Sequence, residues 1–400
     1  MTNKLKLTTA LAGSLMVLGA TSAVNAQTYY KDGISGNLAI SYLATKNESR
    51  ANSFRQFGKE SQFNLAASGS LNNGWSYKAG TSIEMDGGDG LTAATTSTVL
   101  TNAAGSSANS TNPTVATLQG QQAENTFIDF INGNTTISIG ADHYAFSDTN
   151  MTNLVGFGYI AADGIGNARA FYPSNVSNYS AFGIGAVQTT GIGKFSINYT
   201  PHANNGASSL DIFNGTNKQA GGVANSAYEI TYTGNLGLNG LTVLGSYMSW
   251  PKAAIVTING GATLDAKSSR LAAKYNFGQF TAAIDRSREE NVQSMTATAA
   301  GAQKFNGDSY AVAYAVTKEL SVGLTYAEAK TDAAVIGGVP TGTGSVTGGT
   351  APKKESIIIA AIGYNLGPVA ISTQYKNAQN VAGLSGNDGQ QLGVWVNTNF

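Results

Sequence analysis

The sequence contains no cysteine, and only 12% of its residues are charged. Without cysteine the chain has neither disulfides nor a thiolate for catalysis or metal binding. Ordinary soluble proteins carry about 25% charged residues, so this chain offers little charge to a surface that faces water. Its 23 basic and 23 acidic residues cancel. A nucleic-acid-binding protein needs a clear basic excess, so no nucleic-acid partner is predicted.

Histidine is almost as scarce, since His143 and His202 are the only two. They are far apart in the sequence, and neither has a metal-ligand spacing or an obvious nucleophile beside it. The acidic stretch 86–90 has too few carboxylates to enclose Ca²⁺ alone, and a glycine-rich turn accounts for it better. We therefore predict no enzyme activity, no cofactor and no metal site.

Long apolar runs are also lacking after residue 26. At the N-terminus, two lysines precede an apolar stretch over residues 11–20, and small residues follow as far as Ala26. This order is typical of a secretory signal peptide cleaved before Gln27. The stretch is about half of the roughly 20 residues that a membrane-spanning helix needs, which argues against an N-terminal anchor. We predict a signal peptide over 1–26 and a single domain over 27–400.

Alternating apolar and polar residues recur through the rest of the chain. In the segment 270–277, Leu, Ala, Tyr and Phe at the odd positions alternate with Arg270, Ala272, Lys274 and Asn276. A strand with lipid on one face and water on the other has this pattern. The last segment, which ends at Phe400, shows it too, and a terminal aromatic there is a candidate tag for outer-membrane insertion. Strands that span hydrocarbon must close into a barrel, because open edges are too costly there.

Short turns and long polar stretches connect these segments in strict alternation. The short turns are predicted at 72–74, 132–133, 189–193, 234–240, 278–279, 317–319 and 367–368. The long stretches are predicted at 45–58, 86–121, 142–178, 201–226, 251–267, 287–307, 329–354 and 377–389. Together they predict an all-β fold, a transmembrane antiparallel β-barrel of about 16 strands with short periplasmic turns and long external loops. A soluble β-sandwich also alternates, but it leaves the signal peptide and the turn pattern without a reason.

The chain resembles the general porin family of Gram-negative outer membranes over essentially its whole mature length. The features that match are the Ala26/Gln27 junction, the first strand 34–38, the layout of sixteen strands and the terminal segment 393–400. The resemblance implies a homotrimer in the cell outer membrane, surrounded by its lipid. It also implies one water-filled pore per barrel, through which small hydrophilic solutes and ions diffuse passively.

In that family the third external loop folds into the pore, and its acidic residues face basic residues on the wall. Counting loops makes 142–178 the third one here. An electric field across such a narrow gap favours polar solutes. The candidate constriction residues are Asp142, Asp148, Asp163, Lys78, Arg270 and Lys274.

The basic wall departs from the family pattern, because no early strand carries a tight arginine cluster. Lys376 is a further base on the inward parity. Four acids on the same parity roughly balance the bases, so the ion preference stays open; they are Glu84, Asp129, Glu229 and Asp285.

Several interpretations remain open at this point. Aromatic residues of the third loop, such as Tyr144 and Phe157, also fit a sugar-selective channel, and the architecture alone also fits a barrel adhesin. The low-complexity loop over 91–121 is either a latch to a neighbouring subunit or a plain surface loop. Trp395 falls on the inward face, where it packs against the third loop or marks a slip of parity at a bulge. The small residues predicted to form the trimer contact, with the terminal strand, are Gly36, Ala39, Ala66, Ala67 and Gly69.

Overall fold

The computed structural model describes residues 33–47, 53–84, 122–141, 151–155, 182–200, 226–258, 262–290, 304–331, 353–380 and 388–399. The strands are β1 (Ile34–Asn47), β2 (Ser53–Ser70), β3 (Ser76–Glu84), β4 (Gln122–Asn132), β5 (Thr135–Ala141), β6 (Phe182–Thr190), β7 (Gly193–Thr200), β8 (Ala227–Gly234), β9 (Leu241–Ile258), β10 (Ala262–Phe277), β11 (Phe280–Glu290), β12 (Lys304–Ala315), β13 (Leu320–Thr331), β14 (Glu355–Asn365), β15 (Val369–Gln379) and β16 (Gly389–Asn399). Each pairs antiparallel with its sequence neighbours, and β1 pairs with β16 to close the sheet. The predicted antiparallel barrel of sixteen strands is confirmed.

Seven tight turns connect the strands at one end of the barrel, at the positions that the sequence predicts. Gly133 and Gly278 have φ angles of 56° and 63°, in the left-handed region where a side chain would be strained. In three other turns an asparagine side-chain oxygen accepts the backbone N–H two residues further on, at 2.9–3.2 Å; these are Asn73, Asn235 and Asn365. Such local bonds favour a turn over a continued strand. No helix in the described part of the chain is long and apolar enough to cross a membrane.

Two of the predicted long loops are wrong in extent, because the strands run further than the sequence suggests. The stretch 251–267 falls mostly within β9 and β10, which leave only residues 259–261 between them. Pro251 lies within β9, and the register between β9 and β10 shifts close to it. A bulge can place a proline where the ladder needs no N–H donor. The stretch 45–58 likewise shrinks to residues 48–52.

Burial alternates along the strands with a period of two, as β14 and β16 show most clearly. Many inward positions are polar: Gln62, Ser138, Thr231 and Gln391 are each buried inside the barrel. The outward positions are large, apolar and exposed, among them Ile40, Ile230, Leu271, Val312 and Ile362. A polar interior with an apolar exterior is the arrangement of a barrel that stands in lipid around a lumen.

Outward aromatic residues gather next to the turns. Tyr275, Phe277, Phe280 and Tyr314 form a continuous row, with successive ring centroids 5.9, 5.7 and 4.8 Å apart. Further pairs, Tyr199–Tyr228 and Tyr42–Phe57, lie towards the opposite ends of their strands. Amphipathic aromatic side chains in these places suit the boundary between lipid and water.

The alternation of inward and outward residues corrects the predicted trimer contact, and the strand register excludes a bulge at Trp395. Ala39 is buried inside the barrel, and Ala66 shares the inward parity of Gln62, so neither can belong to an outer trimer contact. β16 pairs with β1 and β15 without a register shift, so Trp395 does not mark a bulge. Its buried ring lies over Gly393 on the inner wall.

Candidate pore constriction

Residues 151–155, named here the inner segment, are the described part of the connection between β5 and β6. Met151, Thr152 and Val155 are buried, although they belong to an external connection rather than to the wall. Their contacts are with inward side chains of strands from β9 round to β15. The third external connection therefore enters the barrel and lies against the inner wall.

The first end of the inner segment is anchored at Met151. Its side chain forms a buried apolar cluster with Leu244 on β9 and Ala272 on β10. Its backbone N–H donates to Oδ2 of Asp285 on β11, 3.4 Å away. Packing and a charged acceptor thus fix the same residue.

Hydroxyl groups fix the middle of the segment. Thr152 Oγ1 lies 2.7 Å from Oγ of Ser309 on β12, within hydrogen-bond distance. Thr325 on β13 donates its hydroxyl to the Thr152 carbonyl at 3.1 Å. Thr152 is fully buried, and its hydroxyl and its carbonyl each have a partner on the wall, as buried polar groups require.

The last end of the segment is fixed at Val155. Its carbonyl accepts from Gln374 Nε2 on β15 at 3.3 Å. Its side chain lies directly over Gly323 on β13, where an added Cβ would be 2.7 Å from Val155 Cγ2. The close approach needs the absence of a side chain at Gly323.

A buried ion pair lies beneath the inner segment. Arg270 Nε donates to Asp285 Oδ1 at 2.8 Å, and the second guanidinium nitrogen contacts Oδ2 of the same carboxylate. The two side chains are 4% and 0% exposed. Bidentate geometry suits an arginine–carboxylate pair. The prediction that Arg270 faces inward is confirmed, and its partner in the described part of the chain is a wall residue.

The other predicted bases lie on the inner wall, away from Arg270. Lys78 on β3 is in register with Asp129 on β4, and its Nζ lies 5.6 Å from the Phe127 ring centroid. Asp129 in turn accepts from the Ser138 hydroxyl. Lys274 shares the inward parity of Arg270, nearer to the turn.

Lys376 is buried on β15, close enough to Glu355 for an electrostatic interaction. The inner wall therefore carries charges of both signs on several strands. Asp129, Glu229 and Asp285 are buried, as their inward parity predicts; the Glu84 side chain is outside the described residues.

The three predicted acids, Asp142, Asp148 and Asp163, lie outside the described residues, as do both histidines and the acidic stretch 86–90. Their place opposite the wall stays a prediction. Within the described ranges, no three His, Asp or Glu side chains are grouped to hold a metal ion.

Sequence reasoning placed the inner segment in the correct loop but missed its anchors. Met-Thr-Asn-Leu-Val has no charge and no motif, and the partners Ser309, Thr325 and Gln374 are ordinary inward polar residues of their strands. Only their positions in the closed barrel bring them together.

A closed barrel with a polar interior, entered by a segment of an external connection, defines the class of pore-forming transmembrane barrels. No family model matches the sequence, and no curated protein sequence matches it either. Solved structures do share the fold. OmpF of Salmonella typhi, in complex with daunomycin, has a TM-score of 0.60 and 13% identity, covering 92% of this chain and 97% of that chain.

The anion-selective porin of Comamonas acidovorans has a TM-score of 0.60 and 15% identity, covering 92% of this chain and 98% of its own. OprB of Pseudomonas putida has a TM-score of 0.58 and 11% identity, with 92% and 94% covered. The chain thus has the fold of the general outer-membrane porins.

Proposed function

We propose that this protein is an outer-membrane porin through which small hydrophilic solutes and ions diffuse passively. The observation that carries the proposal is the inner segment, which lies against the inner wall of a barrel whose outer face is apolar. A segment that is fixed against the wall narrows a water-filled pore and does not act as a gate. An adhesin of the same architecture has no need of such a segment.

Conductance in planar bilayers tests this proposal. We expect the purified protein to form water-filled channels, and Gly323→Ala to change their single-channel conductance, because the added Cβ displaces Val155 from the wall. Gly245→Ala on β9 is the matched control, since a Cβ there meets nothing within 4 Å. Absence of channels contradicts the proposal. Equal conductance in both variants places the current outside this lumen, and block by added sugars favours a sugar-selective channel.

Charge in the third loop provides a further prediction. Replacing Asp142, Asp148 and Asp163 together by asparagine should shift the reversal potential in a salt gradient towards anions. The physical reason is that inward bases such as Lys78 and Lys274 then act without opposing carboxylates. An unchanged reversal potential would place these three acids outside the pore and leave the channel proposal intact.

The proposal includes a homotrimer, supported by the outward parity of Gly36, Ala67 and Gly69 on β1 and β2. Small outward residues allow flat walls to approach closely, and cyclic symmetry is the usual result when one contact repeats. In mild detergent we expect a larger band on gels that heating converts to the monomer. Migration as a monomer before heating would rule the trimer out.

A further inference from the structure

The apolar band on the outside of the barrel is narrow over β11 and β12. Counting from the turn, the first outward charge on β11 is Arg286, six residues after Phe280, and on β12 it is Asp308, six residues before Tyr314. On the flanking strands β10 and β13 the corresponding counts are ten residues, from Phe277 to Lys267, and eight residues, from Leu320 to Glu328.

These counts translate into depth in the membrane. A strand rises about 3.3 Å per residue, and a tilt of about 40° leaves about 2.5 Å per residue along the membrane normal. Ten residues therefore span about 25 Å, the height of the lipid-facing band of such barrels, whereas eight residues span about 20 Å and six residues about 15 Å. The first outward charges of β11 and β12 therefore lie about 10 Å inside the apolar band of β10 and about 5 Å inside that of β13.

The notch, as we name the site formed by Arg286, Arg288 and Asp308, has a definite internal structure. Arg286 Nε donates to Asp308 Oδ1 at 2.7 Å. Arg288 donates to both Asp308 oxygens at 3.2 and 3.3 Å, and to the carbonyls of Ser287 and Gly307 at 2.7 and 3.2 Å. One carboxylate thus serves two guanidinium groups, and the notch keeps one positive charge.

Both arginines remain open to the outside. The Arg286 side chain is 52% exposed and that of Arg288 is 39% exposed, while Asp308 is 17% exposed. An arginine on a lipid-facing wall is unfavourable towards the middle of the bilayer, where it lacks polar partners. Exposed guanidinium donors inside the band therefore favour a polar, anionic occupant that reaches them from the lipid side.

The external rim of the notch adds a second positive charge. Glu328 on β13 is in register with Asp308, but it accepts from Lys354 Nζ at 2.8 Å and from the Tyr326 hydroxyl. The hydrogen bond to Glu328 raises the pKa of Lys354, so this pair stays ionised and neutral as a whole. Lys330, opposite Asn306, is exposed and has no ion pair within the described ranges. The excess over the whole site is two positive charges.

We propose that the notch binds the phosphate group of an outer-leaflet membrane lipid. Guanidinium groups bind phosphate oxygens through paired hydrogen bonds, and the charge excess matches a phosphate. The position favours a lipid over a soluble anion, because the acyl chains of a lipid would cover the apolar row of Ile284, Tyr310 and Tyr326 below the charges. The inference rests on the proposed membrane location and not on transport, so bilayer conductance tests the channel independently.

Lipid binding by the full-length protein in an uncharged detergent tests the inference. The probes are lipid A carrying its phosphates, the same lipid after dephosphorylation, and inorganic phosphate as competitor, with binding measured by native mass spectrometry. We expect Arg288→Gln/Lys330→Gln to bind the phosphorylated lipid about 25-fold more weakly, since each basic residue near an anionic surface contributes a factor of about five. Asp308→Asn should bind it more tightly, because it removes the competing carboxylate.

Two controls keep the result interpretable. Lys318→Gln removes one charge in an exposed turn at the opposite end of the barrel and should leave binding unchanged. Lys330→Gln alone breaks no described contact, so it should fold normally and lose about fivefold in affinity. Equal binding of the dephosphorylated lipid, full competition by millimolar inorganic phosphate, weaker binding by Asp308→Asn, or a larger oligomer held through the notch would each overturn the proposal.

Discussion

Replacing Asp285 by asparagine should destabilise the barrel and release the inner segment at the same time. The substitution leaves Arg270 buried without its carboxylate, and breaking a buried ion pair in this way typically costs about 3–5 kcal/mol. The same carboxylate accepts the Met151 N–H. We therefore expect a lower free energy of unfolding together with a larger and noisier single-channel conductance.

A second variant separates the two effects of Asp285. In Arg270→Met/Asp285→Leu, an apolar pair replaces the ion pair and no buried charge is left alone, so most of the stability should return. Leucine at position 285 offers the Met151 N–H no acceptor, so the conductance should stay altered. Stability of Asp285→Asn within about 0.5 kcal/mol of the parent would contradict the buried ion pair, and parent-like conductance in both variants would contradict the anchor.

The second large effect is expected from an arginine placed on the outer, lipid-facing surface of the barrel. Leu324 lies midway along β13, outward and 50% exposed, whereas Leu238 lies in a turn and is 59% exposed. Leu324→Arg should cost about 2–4 kcal/mol when the barrel unfolds from lipid vesicles, and Leu238→Arg at most about 1 kcal/mol. The reason is depth, because only Leu324 faces hydrocarbon. Equal costs at the two leucines would mean that the apolar face does not stand in a membrane.

The sequence predicts the barrel well because its signals are local. Turn residues such as Asn73 and Gly133 act within a few residues, and they mark the seven turns at the right places. The period of two then decides which face each side chain takes, so the inward positions of Arg270 and Asp285 follow from parity alone.

The parts that sequence reasoning misses depend on distant residues. Asp285 meets Met151 only because the sheet closes and the third connection enters it. The long stretch predicted at 251–267 is mostly strand, because the irregular register of β9 and β10 accommodates Pro251. The notch cannot be predicted from the sequence for a related reason. Arg286 and Asp308 form one site only through the pairing of β11 with β12.

The seam between β1 and β16 has a consequence for how such a chain enters a membrane. Asn37 on β1 pairs with Asn399 on β16, almost the full described length away. The free edge of β1 therefore stays unpaired until β16 has formed. Until then both edges carry unpaired N–H and C=O groups, which hydrocarbon does not tolerate and which invite aggregation in water. A partly inserted sheet with open edges is therefore unstable, and we expect the strands to insert in one concerted step. Before insertion, a carrier that covers the unpaired edges should keep the precursor soluble.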